Sequence, residues 1–113
     1  MSVLVIRAHK RFAVCRKARL RRPGKRFEDG LLIELSLDGC RVSSLAPASF
    51  ALDQTVTLRI DGAEQPLEAR VRWLGDGMAG LRFLRPLHAA ALDGLIRLCR
   101  SAPLAREAGS AAA

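Results

Sequence analysis

The sequence is poor in the residue types that build catalytic and metal centres. Its 113 residues include two histidines, three cysteines and no tyrosine. Cys15, Cys40 and Cys99 are widely spaced and odd in number, which argues against a Cys-x-x-Cys metal site and against a disulfide framework, and favours the reducing cytoplasm. No spacing joins His9 or His88 to a nucleophilic hydroxyl. We therefore expect neither an enzyme nor a metal cofactor.

Aromatic residues and long apolar runs are scarce as well. Four Phe and one Trp are the only aromatic residues, which argues against a base-stacking surface for RNA or DNA. Trp73 falls on the apolar side of an alternating segment, so we expect it in the core. The apolar opening at residues 3–6 is too short for a membrane span or a signal peptide. The sequence thus predicts no membrane span and no targeting segment.

Positive charge is what the chain has in excess. Nineteen Lys and Arg stand against 11 Asp and Glu, a formal net charge of +8. Residues 7–26 hold ten of these cations and no acid. Such a concentrated positive field predicts an anionic partner. A nucleotide, nucleic acid, an acidic membrane face and an acidic protein all remain possible at this point.

Alternating apolar residues between glycine turns predict one domain with six short strands. Half of the residues are hydrophobic, as expected of a folded globule. Evenly spaced strands with Gly-containing turns favour a small antiparallel barrel, which leaves no open sheet edge. We expect strands over residues 12–22, 27–35, 40–44, 55–60, 67–73 and 80–84.

A single amphipathic helix is expected after the strands. Pro86 suits the first position of a helix, and an apolar stripe follows at helical spacing. Residues 101–113 are small or polar and predict a disordered tail. The stripe consists of Leu92, Leu95, Ile96 and Cys99.

The stretch from Leu31 to Val42 predicts a strand, a tight turn and a second strand. Glu34 and Ser36 are two residues apart, so a regular strand places them on one face and Ile33, Leu35 and Leu37 on the other. The turn is expected at Asp38-Gly39, because Gly adopts positive φ without steric cost. By itself this stretch also fits the polar outer face of an ordinary sheet.

Two short motifs follow one another in the chain: Arg7-x-x-x-Arg11 and, about twenty residues later, Glu34-x-Ser36-x-x-Gly39. In order and separation they resemble the motifs of the PilZ family of cyclic di-GMP receptors, which has Asp or Asn in place of Glu34. The resemblance implies an all-β fold, a six-stranded antiparallel split barrel with one C-terminal α-helix. It also implies cyclic di-GMP as ligand, no other cofactor, and relay of the signal to an effector protein that the sequence does not identify.

The resemblance extends through two later segments. Arg70–Trp73 and Gly80–Phe83 look like the late strands of the family, so it covers roughly residues 7–100. We therefore expect an N-terminal arm over residues 1–11, the barrel and helix over 12–100, and a tail over 101–113.

The family's ligand-binding motifs map onto five positions here, and Lys10 is expected to add a phosphate contact. Arginine suits cyclic di-GMP because its planar fork donates in pairs to phosphate oxygens or to guanine O6 and N7, and its face stacks on a base. By resemblance the acid would accept from the guanine amino edge, the serine would bond a phosphate or base oxygen, and the glycine would allow close backbone approach. The expected site residues are Arg7, Lys10, Arg11, Glu34, Ser36 and Gly39.

Two alternatives remain beside the receptor. A PilZ-like adaptor without nucleotide would act through protein contacts alone, which Glu34 and the apolar start of the arm both favour. A small basic barrel binding RNA or DNA is the other. Glu34 keeps the acceptor and its charge but is one methylene longer than Asp, so we expect Glu34→Asp to bind cyclic di-GMP more tightly.

Overall fold

Six antiparallel strands close into a barrel in the computed structural model, which describes residues 9–46 and 49–101. Around the barrel the strands follow the order β1-β2-β3-β6-β5-β4, and one helix follows them in the chain. This arrangement confirms the predicted six-stranded barrel with a C-terminal helix. The elements are β1 (Phe12–Arg21), β2 (Phe27–Leu35), β3 (Gly39–Ser43), β4 (Thr55–Ile60), β5 (Leu67–Gly75), β6 (Met78–Phe83) and α1 (Ala89–Arg100).

The inward-facing residues of the strands fill the barrel. Along β1 and β4, buried residues alternate with exposed or half-buried ones, as the sequence pattern predicts. Burial of branched apolar side chains on one face is what makes these segments strands, because the alternation has a period of two. The most deeply buried of the large side chains are Leu20, Leu32, Leu35, Leu58, Val42, Val56 and Val71.

A β-bulge at Ile33 interrupts the alternation of β2. Leu32 pairs with Val42 on β3, whereas Glu34 pairs with Arg41, so Ile33 is an extra residue on β2. Leu32 and Leu35 are consequently both in the core, and Ile33 is only half-buried. The prediction that Ile33 shares a face with Leu35 was therefore wrong, because a bulge shifts the faces of a strand by one residue.

A second bulge lies in β5. Val71 pairs with Leu81 and Trp73 pairs with Gly80, which makes Arg72 the extra residue. Trp73 is turned to the outer face and is 39% exposed. The prediction of Trp73 in the core was wrong for this reason.

The helix begins later than predicted. It starts at Ala89 with His88 as the N-cap residue, so the prediction of Pro86 as the first helical residue was wrong. The backbone N–H of Leu87 donates to the Leu37 carbonyl at 2.7 Å. This bond ties the segment to the β2–β3 turn and delays the helix.

The apolar stripe of α1 packs against the barrel as expected. Leu92 and Cys99 are buried, and Leu95 and Ile96 contact the core cluster. Across the described ranges 9–46 and 49–101, no helix is long and apolar enough to cross a membrane. Most of the predicted arm and tail, residues 1–8 and 102–113, lies outside these ranges.

Arg16 is a charged residue on the inward face of β1. It is 9% exposed. Its Nε donates to the Asp61 carbonyl at 2.9 Å and its Nη1 lies 3.5 Å from the Ser101 carbonyl. A buried guanidinium needs such acceptors, and these two join the β4–β5 loop to the end of α1.

Candidate functional site

One residue from each of four neighbouring strands forms a row across the outer face of the barrel. Glu34 on β2 pairs with Arg41 on β3, Arg41 pairs with Gly80 on β6, and Gly80 pairs with Trp73 on β5. A bulge directly precedes the residue at each end of the row. Bulges re-aim side chains, and here they turn both end residues to the same outer face.

The Trp73 ring lies flat against the row because position 80 has no side chain. A Cβ at Gly80 would overlap the indole, with Trp73 Nε1 as its nearest atom. On the far side of the glycine, the Arg41 guanidinium lies 5.4 Å from the centre of the Trp73 ring. This cation–π contact holds a planar donor group against a partly exposed aromatic ring.

Glu34 lies between two arginines. Its Oε1 is 3.5 Å from Arg11 Nη1 and 3.6 Å from Arg41 Nη2. Strong charge-assisted hydrogen bonds are shorter, about 2.7–2.9 Å. All three side chains are partly exposed, so each pair contributes at most about 1 kcal/mol. A competing anion can therefore displace Glu34 at little cost.

These residues line an open groove with a volume of about 230 Å³. Four arginines outnumber two carboxylates along it, so the groove has a positive field. We call it the arginine–tryptophan groove. Its lining residues are Arg11, Glu34, Ser36, Asp38, Gly39, Cys40, Arg41, Arg72, Trp73, Gly80, Leu81 and Arg82.

Like charges meet directly beside the groove. Arg82 on β6 pairs with Arg70 on β5, and directly opposed like charges destabilise a sheet. Within the described part of the chain, the ion pairs are formed by other cations. An anion bound between the strands would relieve this repulsion.

Ser36 is hydrogen-bonded within the β2–β3 turn. Its Oγ donates to Asp38 Oδ1 at 2.9 Å and accepts from the Gly39 N–H at 3.2 Å, while its own N–H donates to the Gly39 carbonyl at 2.9 Å. The side chain is almost fully buried. Ser36 therefore shapes the turn that forms one wall of the groove.

Gly39 is required for a different reason from the one the sequence suggested. Positive φ occurs at Gly24, Gly62 and Gly77 but not at Gly39, so the prediction of positive φ there was wrong. A Cβ at Gly39 would collide with the Leu81 carbonyl oxygen of β6. The glycine thus lets β3 and β6 approach closely under the groove.

The groove brings four of the six predicted site residues together. Arg11, Glu34, Ser36 and Gly39 all line it. Lys10 lies at a neighbouring groove instead, with its Nζ 5.3 Å from the Phe12 ring centre. Arg7 lies outside the described residues.

Sequence reasoning missed the arginines of β3, β5 and β6 and the tryptophan of the groove. Arg41, Arg72, Trp73 and Arg82 were not among the expected site residues. The signal was present in Arg70-Val-Arg-Trp73, but regular alternation assigns Trp73 to the core. Only the bulge at Arg72 brings it to the groove.

Cys40 reaches the groove but is not a reactive group. Burial raises the pKa of its thiol, and the nearby Cys99 and Glu34 raise this pKa further. A buried thiol is a poor nucleophile and a poor ligand at neutral pH. In the part of the chain that the structure describes, no three His, Cys, Asp or Glu side chains cluster as a metal site would require.

Comparison with known proteins gives the family of this barrel. The family model for the PilZ domain matches residues 6–101. The PilZ domain of CeSA from a cellulose-synthesizing bacterium superposes with a TM-score of 0.61 at 24% identity, over 80% of this chain and 94% of that one. The Bacillus subtilis inhibitor of motility, MotI/DgrA, gives 0.62 at 18% identity, over 85% of this chain and 50% of that one. No curated protein sequence matches. The chain belongs to the PilZ domain family.

Proposed function

We propose that this protein binds cyclic di-GMP in the arginine–tryptophan groove and relays the signal to a partner protein. The observation that carries the proposal is the row Glu34–Arg41–Gly80–Trp73. This row combines an acceptor for guanine, a guanidinium for phosphate or guanine, and a partly exposed aromatic ring. In this proposal the protein acts as a receptor in the cytoplasm and not as an enzyme.

The ligand's phosphates are matched by the arginines of the groove. Arg41 is held in place by Trp73, so it loses little conformational freedom on binding. Arg72 and Arg82 extend the positive wall on β5 and β6. Arg11, at the start of β1, leaves its loose contact with Glu34 and closes over the ligand, joined by Lys10 and Arg7.

The aromatic and turn residues orient the rest of the ligand. A guanine stacks against the Arg41–Trp73 pair, on the planar guanidinium and the exposed part of the ring, and Glu34 accepts from the guanine amino group. Ser36 and Gly39 set the distance between this acceptor and β6 by holding the turn. Ser36 also retains an oxygen lone pair that faces a donor of the ligand.

The energies are sufficient for a micromolar site. Such a site needs about 8 kcal/mol. Hydrogen bonds to charged groups contribute about 1.5–3 kcal/mol each. Three or four of them, together with stacking, supply this free energy and also offset the few kcal/mol that ordering the arm costs. Displacing Glu34 from its arginines costs about 1 kcal/mol or less for each pair.

The relay is a population shift in which ligand favours an ordered arm. The start of β1 is connected to α1, because Arg100 donates to the Ala13 carbonyl from Nε at 3.2 Å and from Nη2 at 2.9 Å. Movement of Arg11 therefore acts on a segment that is bonded to the helix. The altered surface is offered to the partner.

A second candidate function is an adaptor that binds no nucleotide. It is favoured by one observation, that Glu34 already neutralises Arg11 and Arg41 without any ligand. In such an adaptor the acid would keep the groove closed to anions. The protein partner would then be its only ligand.

Isothermal titration with cyclic di-GMP at about 150 mM salt separates the two functions. We expect saturable binding that GMP and cyclic di-AMP do not reproduce. Arg11→Ala, Arg41→Ala and Ser36→Ala should each weaken it, whereas Arg97→Ala on the exposed side of α1 serves as the matched control. No heat of binding to the folded wild-type protein at saturating ligand would refute the receptor and support the adaptor.

A further inference from the structure

A second basic surface lies on the wall of the barrel opposite the arginine–tryptophan groove. In the strand order β1-β2-β3-β6-β5-β4, β1 lies three strands from β6, and β4 lies three strands from β3. Lys17, Arg19 and Arg21 of β1 are exposed, as is Arg59 of β4. We call these four residues, with Phe27, the basic face. The grooves on the two sides share no lining residue.

Like charges are held together on this face. Arg19 pairs directly with Arg59 across β1 and β4, and Arg21 follows two residues along the same side of β1. Opposed like charges cost a sheet stability. The ion pairs that the described residues form at Glu28, Glu34 and Asp93 do not involve the cations of this face. On its other side Arg19 pairs with Asp29 of β2, which offsets one of these charges, but four cations remain against this one acid. Such an excess of like charge departs from what favours sheet stability, and departures of this kind point to a binding role.

Phe27 organises the three guanidinium groups. Its ring centre lies 4.7 Å from Arg21, 5.7 Å from Arg19 and 6.0 Å from Arg59. Each cation–π contact limits the freedom of an arginine. The planar forks are thereby arranged before any partner arrives, which lowers the entropic cost of binding.

A groove of about 740 Å³ runs beside this cluster. Its walls include Lys17, Arg19 and Arg59, and its lining includes half-buried apolar side chains such as Leu31 and Ala63. Two aspartates, at positions 29 and 61, also border it. The combination of cations with an apolar floor fits an amphipathic acidic segment, whose carboxylates meet the arginines while its apolar side chains occupy the groove.

We propose that the basic face docks an acidic, partly apolar segment of a protein partner. Carboxylates suit it because a guanidinium fork binds a carboxylate through two parallel hydrogen bonds. Nucleic acid suits it less, because the Phe27 ring is already covered by arginines and base stacking needs free aromatic faces. This segment would belong to the partner protein of the proposed function. The role of the basic face in the relay therefore rests on that proposed function.

Fluorescence anisotropy with defined probes tests the docking surface. The probe is a short fluorescein-labelled peptide of repeated Glu-Glu-Leu, compared with the same peptide carrying Lys for Glu and with oligothymidylate. We expect the acidic peptide to bind, and Arg19→Gln and Arg59→Gln each to weaken it about tenfold, which corresponds to 1.4 kcal/mol. The control Arg97→Gln removes the same charge from α1 and should leave the affinity within twofold of the wild-type value.

Phe27→Leu distinguishes an organised site from simple charge attraction. It keeps the net charge and an apolar side chain but removes the cation–π contacts, so we expect weaker peptide binding in a variant that still folds by circular dichroism. Tighter binding of oligothymidylate than of the acidic peptide would overturn the proposal, as would an equal loss in Arg97→Gln. Cyclic di-GMP affinity should be unchanged in Arg59→Gln. If the protein binds the peptide but not cyclic di-GMP, the proposed receptor function is refuted and the proposed docking surface is supported.

Discussion

The indole ring of Trp73 lies across the backbone of Gly80, its partner on the neighbouring strand. The bulge in β5 turns the ring outward, and the missing side chain at position 80 gives it a surface on which to lie. The same glycine pairs with Arg41 on its other side. One glycine therefore allows the ring and the guanidinium to stack, and the candidate site depends on it.

Gly80→Ala should disrupt the site more than the fold. A Cβ at this position meets the indole ring and no backbone atom among its nearest neighbours, so the ring is expected to move into solvent. Trp73 is the only tryptophan, so its fluorescence emission reports this movement directly as a shift to longer wavelength. We expect about tenfold weaker cyclic di-GMP binding, the equivalent of 1.4 kcal/mol.

Gly75→Ala is the matched control for this change. It lies on the same strand as Trp73, and a Cβ there meets nothing within 4 Å. Its emission and its affinity should equal those of the wild type. Unchanged fluorescence in Gly80→Ala would contradict the stacked arrangement.

Gly39→Ala should damage the fold itself. Its Cβ collides with the backbone carbonyl of Leu81, which cannot rotate away as a side chain can. We expect a loss of about 3 kcal/mol in the free energy of unfolding, the upper end of the range for overpacking. Urea denaturation followed by circular dichroism measures this change.

A glycine in the helix provides a control for which the opposite change in stability is expected. Gly94 lies within α1 with open space where a Cβ would be, so Gly94→Ala should stabilise the protein by about 0.5–1 kcal/mol through helix propensity. Equal stability of the Gly39→Ala and wild-type proteins would show that the strands separate more easily than their geometry suggests.

The sequence predicted the barrel well because its signals are local. Alternation of apolar residues along β4 needs no knowledge of neighbouring strands, and Asp76-Gly77 takes the positive φ angles of 53° and 74° that such a pair favours. The helix stripe is local as well. Its start was misplaced because the bond from Leu87 to Leu37 joins two distant segments.

Only the motif residues of the candidate site could be predicted from the sequence, because the β-bulges determine the rest. Nothing in the spacing of Val71 and Trp73 shows that an extra residue separates them, because a bulge is defined by pairing with β6. Regular alternation therefore assigned Trp73 to the core, and its contact with Arg41 was not predicted. Arg11 and Glu34 were expected from the motif resemblance, and they meet in the structure at 3.5 Å.

Glu34→Asp should bind cyclic di-GMP more tightly than the wild type. The shorter side chain has less rotamer freedom to lose and reaches less far toward Arg11 and Arg41, which frees both for the ligand. Because each displaced ion pair is worth at most about 1 kcal/mol, the gain should not exceed about tenfold. Titration calorimetry of both proteins decides the matter, and a weaker Asp variant would mean that Glu34 already fits its ligand.

The stability of the barrel should fall in alkaline solution because of its two buried thiols. Burial raises the pKa of Cys40, and it raises the pKa of Cys99 although the nearby Arg16 opposes the shift. In the unfolded chain both thiols ionise near pH 8.5, whereas in the folded protein they stay protonated to higher pH. The free energy of unfolding is therefore unaffected by the two thiols below about pH 8.5. Above this pH it decreases, by up to about 1.4 kcal/mol per pH unit for each thiol, because only the unfolded chain loses the protons.

Urea denaturation at a series of pH values up to about 9.5 measures this slope, below the ordinary range of lysine. The chain has no tyrosine, so no phenol contributes to the slope. Cys40→Ala should reduce the slope, because one of the two ionisations is removed from the unfolded state. Cys15→Ala is the control, since Cys15 is exposed, and it should leave the slope as it is. A slope that is the same in all three proteins would mean that Cys40 ionises as readily in the folded barrel as in the unfolded chain, contrary to its burial between β2 and β6.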